Sequence, residues 1–154
     1  DALLMGSSMG GLLSVLAQRH HKNVRAMILL APGFGLNRRW HELLGQSELQ
    51  RWREEGSIEV FHYLYSKHVP LKYEFIQDAE NYSTDDLLVS VPTLVIHGLA
   101  DTVVPPRESE NFYRHNPDQV ELHLLKSDHC LTDVLDEMSL IVENFLNVHR
   151  LLPG

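Results

Sequence analysis

Residues 3–11 read Leu-Leu-Met-Gly-Ser-Ser-Met-Gly-Gly and join a short apolar run to a turn rich in glycine and serine. Apolar residues then recur at helical spacing: Leu12, Leu13, Val15, Leu16 and Ala17. The pattern predicts a strand, a sharp turn and a helix. Gly6, Ser8 and Gly10 fit G-x-S-x-G, in which a serine lies on a strained turn. We expect the two small residues to let strand and helix approach closely, and Gly11 to keep the helix entrance open.

Ser8 occupies the nucleophile position of this motif, and Ser7 occupies a spacer position. The start of a helix presents unpaired N–H groups and the positive end of the helix dipole. The backbone N–H of Met9 is therefore the first candidate donor to an oxyanion that develops beside Ser8. Five-residue matches arise often by chance, so the position of this one between a strand and a helix is what makes it informative.

Strand and helix patterns alternate along much of the remaining chain. Strands are predicted at 24–30, 91–97 and 120–126, and helices at 107–115 and 131–148. This alternation indicates βαβ units, hence an α/β fold with a mainly parallel sheet and helices on both faces. We expect one domain over residues 1–154.

Residues 36–88 interrupt this rhythm and are expected to be an insertion that is helical in pieces. They hold eight of the twelve aromatic residues: Trp40, Trp52, Phe61, Tyr63, Tyr65, Tyr73, Phe75 and Tyr82. These side chains could form a small core within the insertion, because aromatic residues often dominate cores. Alternatively, several could line an apolar substrate pocket.

Two further residues follow predicted strands at the edge where α/β sheets bind ligands. Asp101 comes after strand 91–97, although it could simply cap the helix that starts near Pro106. His129 comes after strand 120–126. Asp128 is a rival acid, but side chains of adjacent residues in an extended loop point apart. Asp101 is therefore the preferred partner of His129.

The order serine, acid, histidine is the order of the catalytic residues in α/β-hydrolases. The motifs G-S-S-M-G-G at 6–11, H-G-L-A-D-T-V-V-P at 97–105 and S-D-H-C-L at 127–131 carry the resemblance. The chain resembles that superfamily from the nucleophile strand to the C-terminus, and within it is most similar to small bacterial esterases. The insertion at 36–88 corresponds to the place where family members carry a cap over the active site.

This resemblance implies a serine hydrolase that cleaves a small-molecule ester or thioester. Ser8 would be the nucleophile, His129 the general base and Asp101 the residue that orients the imidazole. No cofactor or metal is required. The alternatives are an acyltransferase and a non-catalytic binding or regulatory domain with the same fold.

Family members have several strands before the nucleophile, and a His-Gly loop among them donates the second oxyanion N–H. This sequence contains neither. We expect the chain to be part of a longer protein; the alternative is that a second chain completes it. A sheet edge without its neighbouring strand predicts association.

Composition restricts the partners. The formal charge of −8 argues against binding to nucleic-acid backbones, which needs clustered Lys and Arg. Apolar runs are much shorter than the roughly 20 residues that span a bilayer, so no membrane span is expected. Cys130 is the single cysteine, which excludes an internal disulfide and favours a cytoplasmic setting. The natural substrate and the oligomeric state are open at this point.

Overall fold

The computed structural model describes residues 1–62, 65–82 and 86–152. The chain divides into two compact units, the first comprising Asp1–Phe34 and Asp85–Gly154 and the second Gly35–Thr84. The first unit contains β1 (Ala2–Ser7), α1 (Met9–Gln18) and β2 (Val24–Leu30) before the second unit, which contains α2 (Leu36–Glu55), β3 (Ser57–His62), β4 (Lys67–Lys72) and α3 (Glu74–Ala79). The first unit then continues with β5 (Thr93–Gly98), α4 (Arg107–His115), β6 (Val120–Leu125) and α5 (Leu135–Val148).

The sheet of the first unit has four strands in the order β1-β2-β5-β6, and every neighbouring pair is parallel. The α/β class with a mainly parallel sheet is therefore confirmed. Because all four strands run the same way, their carboxyl ends lie at one edge of the sheet. The segments after β1, β5 and β6, which hold Ser8, Asp101 and His129, all start from that edge.

Both faces of the central strands are covered. On one face Ile28 and Ile96 pack in a core cluster with Met138 and Phe145 of α5. Side chains alternate along a strand, so Met27, Leu29 and Val95 face the opposite side, where they are also fully buried. Continuous apolar runs such as 26–30 in β2 and 94–96 in β5 are typical of parallel strands that are buried on both faces.

The last helix begins at Leu135, four residues later than the pattern predicted. Leu131 has a φ of 57°, which lies in the left-handed region and cannot continue a right-handed helix. Its side chain is nevertheless buried in the core cluster. Leu131 therefore belongs to the apolar stripe without belonging to the helix.

The second unit contains helices, as expected, and also a hairpin that the sequence did not predict. Helix α2 bends at Gly45, whose φ of 70° and ψ of 172° are not helical. Strands β3 and β4 pair antiparallel, from Ser57 opposite Lys72 to His62 opposite Lys67.

Four of the aromatic residues in this unit pack against one another. The ring of Trp40 lies 5.3 Å from that of Trp52 and 6.2 Å from that of Phe75, and Trp52 lies 5.7 Å from Tyr73. Trp52 is fully buried, and its indole N–H donates to the backbone oxygen of Leu71. These contacts favour the interpretation in which the aromatic residues form a core of the unit itself. Tyr63 lies outside the described residues.

Helix α5 supplies a matched pair of substitutions for testing the core. Phe145→Ala is expected to lower the free energy of unfolding by about 3 to 5 kcal/mol, because Phe145 is 1% exposed and its loss leaves a cavity. Leu140 on the same helix is 69% exposed, so Leu140→Ala is expected to change the free energy of unfolding by less than about 0.5 kcal/mol. Urea unfolding of the full natural protein measures both; equal effects would contradict this packing.

Candidate active site

Ser8 joins β1 to α1 in a strained backbone conformation. Its φ of 53° and ψ of −119° are unusual for a residue with a side chain. Such conformations cost on the order of 1 to 3 kcal/mol and persist only where the surroundings enforce them. Here the Ser8 N–H donates to the Leu30 oxygen at 2.9 Å, and the Ser8 oxygen accepts from the Gly33 N–H at 2.7 Å. The end of β2 and the segment after it thus hold the turn from both sides.

Two of the glycines are explained by close approaches around this turn, that of β1 to α1 at Gly6 and that of α1 to Pro32 at Gly11. A Cβ on Gly6 would lie 2.2 Å from the backbone oxygen of Gly10, and one on Gly11 would lie 2.8 Å from the Pro32 Cβ. A Cβ on Gly10, in contrast, would meet nothing within 4 Å. The expectation that the small residues on both sides of Ser8 are sterically required is therefore wrong for Gly10. The restriction falls on Gly6 and Gly11.

The structure brings Ser8, Asp101 and His129 into one hydrogen-bonded series. Nε2 of His129 lies 3.0 Å from Oγ of Ser8, and Nδ1 lies 2.7 Å from Oδ2 of Asp101. The carboxylate accepts a hydrogen bond from Nδ1–H, so Nε2 is left to accept a hydrogen bond from the serine hydroxyl. The Asp101 side chain is fully buried, whereas the His129 side chain is 19% exposed.

Asp101 is held by its own loop as well as by His129. Its Oδ1 accepts from the backbone N–H groups of Val103 and Val104, both at 2.8 Å. These bonds lie before α4, so the carboxylate closes a local turn and does not cap that helix. The other acidic candidate, Asp128, is exposed and accepts from the N–H of Cys130 at 2.8 Å.

The segment that carries His129 packs directly on the end of β5. The N–H of Ala100 donates to the Ser127 oxygen at 2.9 Å, and the Ser127 hydroxyl donates to the carboxylate of Asp133. A Cβ on Gly98 would lie 2.3 Å from the Asp128 oxygen, so only glycine permits this approach. The position of the imidazole is thus determined by backbone contacts on both sides.

His97 was not predicted to be part of the site. It is the penultimate residue of β5 and is fully buried, with Nε2 3.0 Å from Oδ2 of Asp101 and 2.9 Å from the Val104 oxygen. Its Nδ1 lies 2.7 Å from Oγ of Ser109. Burial lowers the pKa of His97 below its ordinary value. The available signal was a histidine in an otherwise apolar strand, four residues before the acid.

Met9 is the first residue of α1 and follows Ser8 directly. Its N–H belongs to the first turn of the helix, where N–H groups have no partner within the helix. This placement is compatible with its predicted role as an oxyanion donor.

Among the described residues, no cluster of three or more His, Cys, Asp or Glu side chains could hold a metal ion. In the same part of the chain, no helix combines the length and apolarity needed to cross a bilayer.

Residues 1–146 match a family described as "Uncharacterised protein family (UPF0227)". The chain belongs to this family. No curated protein matches the UPF0227 chain significantly.

Solved structures similar to this UPF0227 chain have the α/β-hydrolase fold. They include "Putative hydrolase" from Agrobacterium vitis S4, with 25% identity, a TM-score of 0.80 and coverage of 94% of this chain and 60% of that one. Mouse alpha/beta hydrolase domain-containing protein 10 has 25% identity, a TM-score of 0.77 and coverage of 97% and 62%. Est1E from Butyrivibrio proteoclasticus has 23% identity, a TM-score of 0.76 and coverage of 96% and 60%. The chain thus spans about three fifths of each of these proteins.

The two glycines beside the nucleophile provide a test of the turn in this UPF0227 protein. Gly6→Ala is expected to destabilise the protein by about 3 kcal/mol, because the new Cβ collides with the backbone of Gly10 and neither segment can move freely. Gly10→Ala is expected to be neutral or to stabilise by up to about 1 kcal/mol, because it replaces glycine within a helix. Thermal unfolding distinguishes them; a Gly10→Ala variant as unstable as Gly6→Ala would refute this description of the turn.

Proposed function

We propose that this chain carries the nucleophile, base and acid of a serine hydrolase that cleaves carboxylic esters or thioesters through an acyl-enzyme on Ser8. One observation carries the proposal. An uninterrupted series of hydrogen bonds runs from Oγ of Ser8 through both nitrogens of His129 to the buried carboxylate of Asp101. A nucleophile in contact with a base that a third group orients is the arrangement that activates a serine hydroxyl.

In the first half of the proposed reaction, Oγ of Ser8 attacks the carbonyl carbon of the substrate while Nε2 of His129 takes the hydroxyl proton. The carbonyl π electrons move to oxygen and give a tetrahedral oxyanion. Collapse of this intermediate breaks the bond to the alkoxide or thiolate leaving group, which receives the proton from His129. The products of this half are an acyl-serine and a free alcohol or thiol.

The second half repeats these steps with water as the nucleophile. His129 takes a proton from water as it attacks the acyl-serine, and returns that proton to Oγ of Ser8 when the carboxylic acid leaves. Each proton is transferred through the same imidazole nitrogen, so the chemistry consumes no cofactor. The Met9 N–H, at the positive end of α1, is our candidate for stabilising the oxyanion in both halves.

Asp101 would act through His129. A carboxylate on Nδ1 keeps that proton in place, leaves Nε2 free to act as base and stabilises the imidazolium that forms. The shielding of the Asp101 side chain from solvent strengthens this interaction, because screening by water is weak in the interior.

We also propose that the second unit acts as a cap. It is inserted between β2 and β5, the strand that precedes Asp101, and it packs around its own aromatic cluster.

The names of similar structures support hydrolase chemistry in general. They include "hydrolase" for the Agrobacterium protein and "esterase" for Pf2001 from Pyrococcus furiosus, the latter at 19% identity with a TM-score of 0.63.

Two adjacent serines allow a controlled test of the nucleophile. A fluorophosphonate probe is expected to form one covalent adduct with the full natural protein, and Ser8→Ala is expected to abolish it. Ser7→Ala is the matched control and should label normally, because Ser7 ends β1 and occupies a spacer position. Intact-mass and peptide mass spectrometry locate the adduct. Absence of any adduct on Ser8 would instead favour a non-catalytic binding domain.

The two neighbouring acids provide a second comparison. Asp101→Asn is expected to lower kcat for a short-chain ester by about 10³- to 10⁴-fold, because an amide favours the wrong imidazole tautomer. Asp128→Asn should retain activity within about 3-fold, because the exposed Asp128 side chain contacts its own loop. Steady-state kinetics measures both variants. The assignment of the acid would be wrong if the loss occurred at Asp128.

A further inference from the structure

We propose that His97 is a positioning residue for this reaction: its Nε2–H donates to Oδ2 of Asp101 and so fixes the oxygen that receives His129. The inference rests on the proposed function for its kinetic consequence. The contact itself is a feature of the fold, because His97 lies on β5 and Asp101 lies on the turn that follows it.

The partners of His97 determine where its proton lies. Nε2 is within hydrogen-bond distance of two acceptors, Oδ2 of Asp101 at 3.0 Å and the backbone oxygen of Val104 at 2.9 Å. A backbone carbonyl accepts but cannot donate, so Nε2 must carry the hydrogen. Nδ1 is then the acceptor for the Ser109 hydroxyl at 2.7 Å. Every polar atom of the imidazole is thereby satisfied with the ring neutral.

The surroundings also favour the neutral ring. His97 is 0% exposed, and desolvation is the main cause that lowers its pKa. The charged or titratable groups that act on it are Asp101, which favours the charged form, and His129, which opposes it. Because the pKa of His97 is lowered, the neutral form of this ring is favoured more than that of an ordinary histidine.

The contact places two N–H donors on a single oxygen. Oδ2 of Asp101 accepts from Nε2 of His97 at 3.0 Å and from Nδ1 of His129 at 2.7 Å. His97 therefore limits rotation of the Asp101 carboxylate. It shares with His129 the single oxygen that accepts both hydrogen bonds. Without that donor, the carboxylate would be less well oriented toward Nδ1 of His129.

A purely structural explanation accounts less well for this residue. β5 is otherwise apolar around His97, and each of its residues is buried. An aliphatic side chain would fill the same space without the cost of burying an imidazole. The Ser109 hydroxyl, itself 0% exposed, supplies the one donor that the neutral ring still needs. The hydrogen bonds of His97 to Ser109 and Asp101 therefore hold the ring in one tautomer.

The first test measures that tautomer directly in the full natural protein. A long-range ¹H–¹⁵N spectrum of the labelled imidazoles, in which the His97 signals are assigned by their loss in His97→Gln, reports which nitrogen carries hydrogen. We expect Nε2 to be protonated and Nδ1 to be bare at neutral pH. A bare Nε2 would overturn the proposal, because His97 could not then donate to Asp101. This measurement needs no catalytic activity.

The second test compares His97→Leu with His97→Gln. Leucine removes the donor, and kcat is expected to fall roughly 10- to 100-fold with little change in KM, because misplacing a catalytic group costs rates of this size. Glutamine retains an N–H near the position of Nε2 and is expected to restore kcat to near that of the natural protein.

Urea midpoints establish whether each variant is folded. Equal losses of kcat in both variants would indicate a purely structural residue and overturn the proposal. If His97→Leu does not fold, Ser109→Ala replaces it. Nε2 of His97 still faces two acceptors and keeps its hydrogen, but the ring loses the bond that orients it, so a smaller fall in kcat is expected. An unchanged kcat would count against positioning by His97. If Ser8 fails to label, the proposed function fails, but the tautomer measurement still decides the contact between His97 and Asp101.

Discussion

The carboxylate of Asp101 has no exposure to solvent, and an ion in such a place costs several kcal/mol unless protein groups replace its water. Four N–H groups do so. Two come from the backbone of the following turn, one from His97 on β5 and one from His129 on the segment after β6. The hydrogen bonds to this one carboxylate therefore connect β5, the turn after it and the segment after β6. The geometry of the whole site depends on it, because removing any donor leaves a buried charge underpaired.

The parallel sheet makes that convergence possible. Its strands end at a common edge, so short segments are sufficient to bring Ser8, Asp101 and His129 together over a sequence separation of 121 residues between the first and last. Glycines remove the side chains that would keep these segments apart: Gly6 lets α1 approach β1, and Gly98 lets the His129 segment approach β5. The strained backbone of Ser8 is held by hydrogen bonds to Leu30, the last residue of β2, and to Gly33 just beyond it. The sheet therefore supplies both the proximity and the rigidity of the site.

The features predicted from sequence are those that depend on local pattern and chain order. Buried strands such as β2 and β5 contain continuous apolar runs, at 26–30 and 94–96. Ser8, Asp101 and His129 each follow a predicted strand, in the order serine, acid, histidine. The start of α5 was placed too early because Leu131 continues the apolar stripe while its backbone is left-handed. The pairing of β3 with β4 was not predicted, because the alternation is short, with Ile58 and Val60 in one strand and Val69 and Leu71 in the other, and because Pro70 argues against a strand.

His97 shows why a polar network is harder to predict than a core. In the sequence it ends an apolar run, and nothing local distinguishes a buried histidine that packs from one that donates a hydrogen bond. The distinction depends on Ser109, twelve residues later on α4, and on the turn that returns the Val104 oxygen to the ring. An apolar residue at this position would avoid the desolvation of an imidazole but would withdraw a donor from a buried carboxylate. The histidine therefore stabilises the buried carboxylate of Asp101. Through that carboxylate it orients the imidazole of His129.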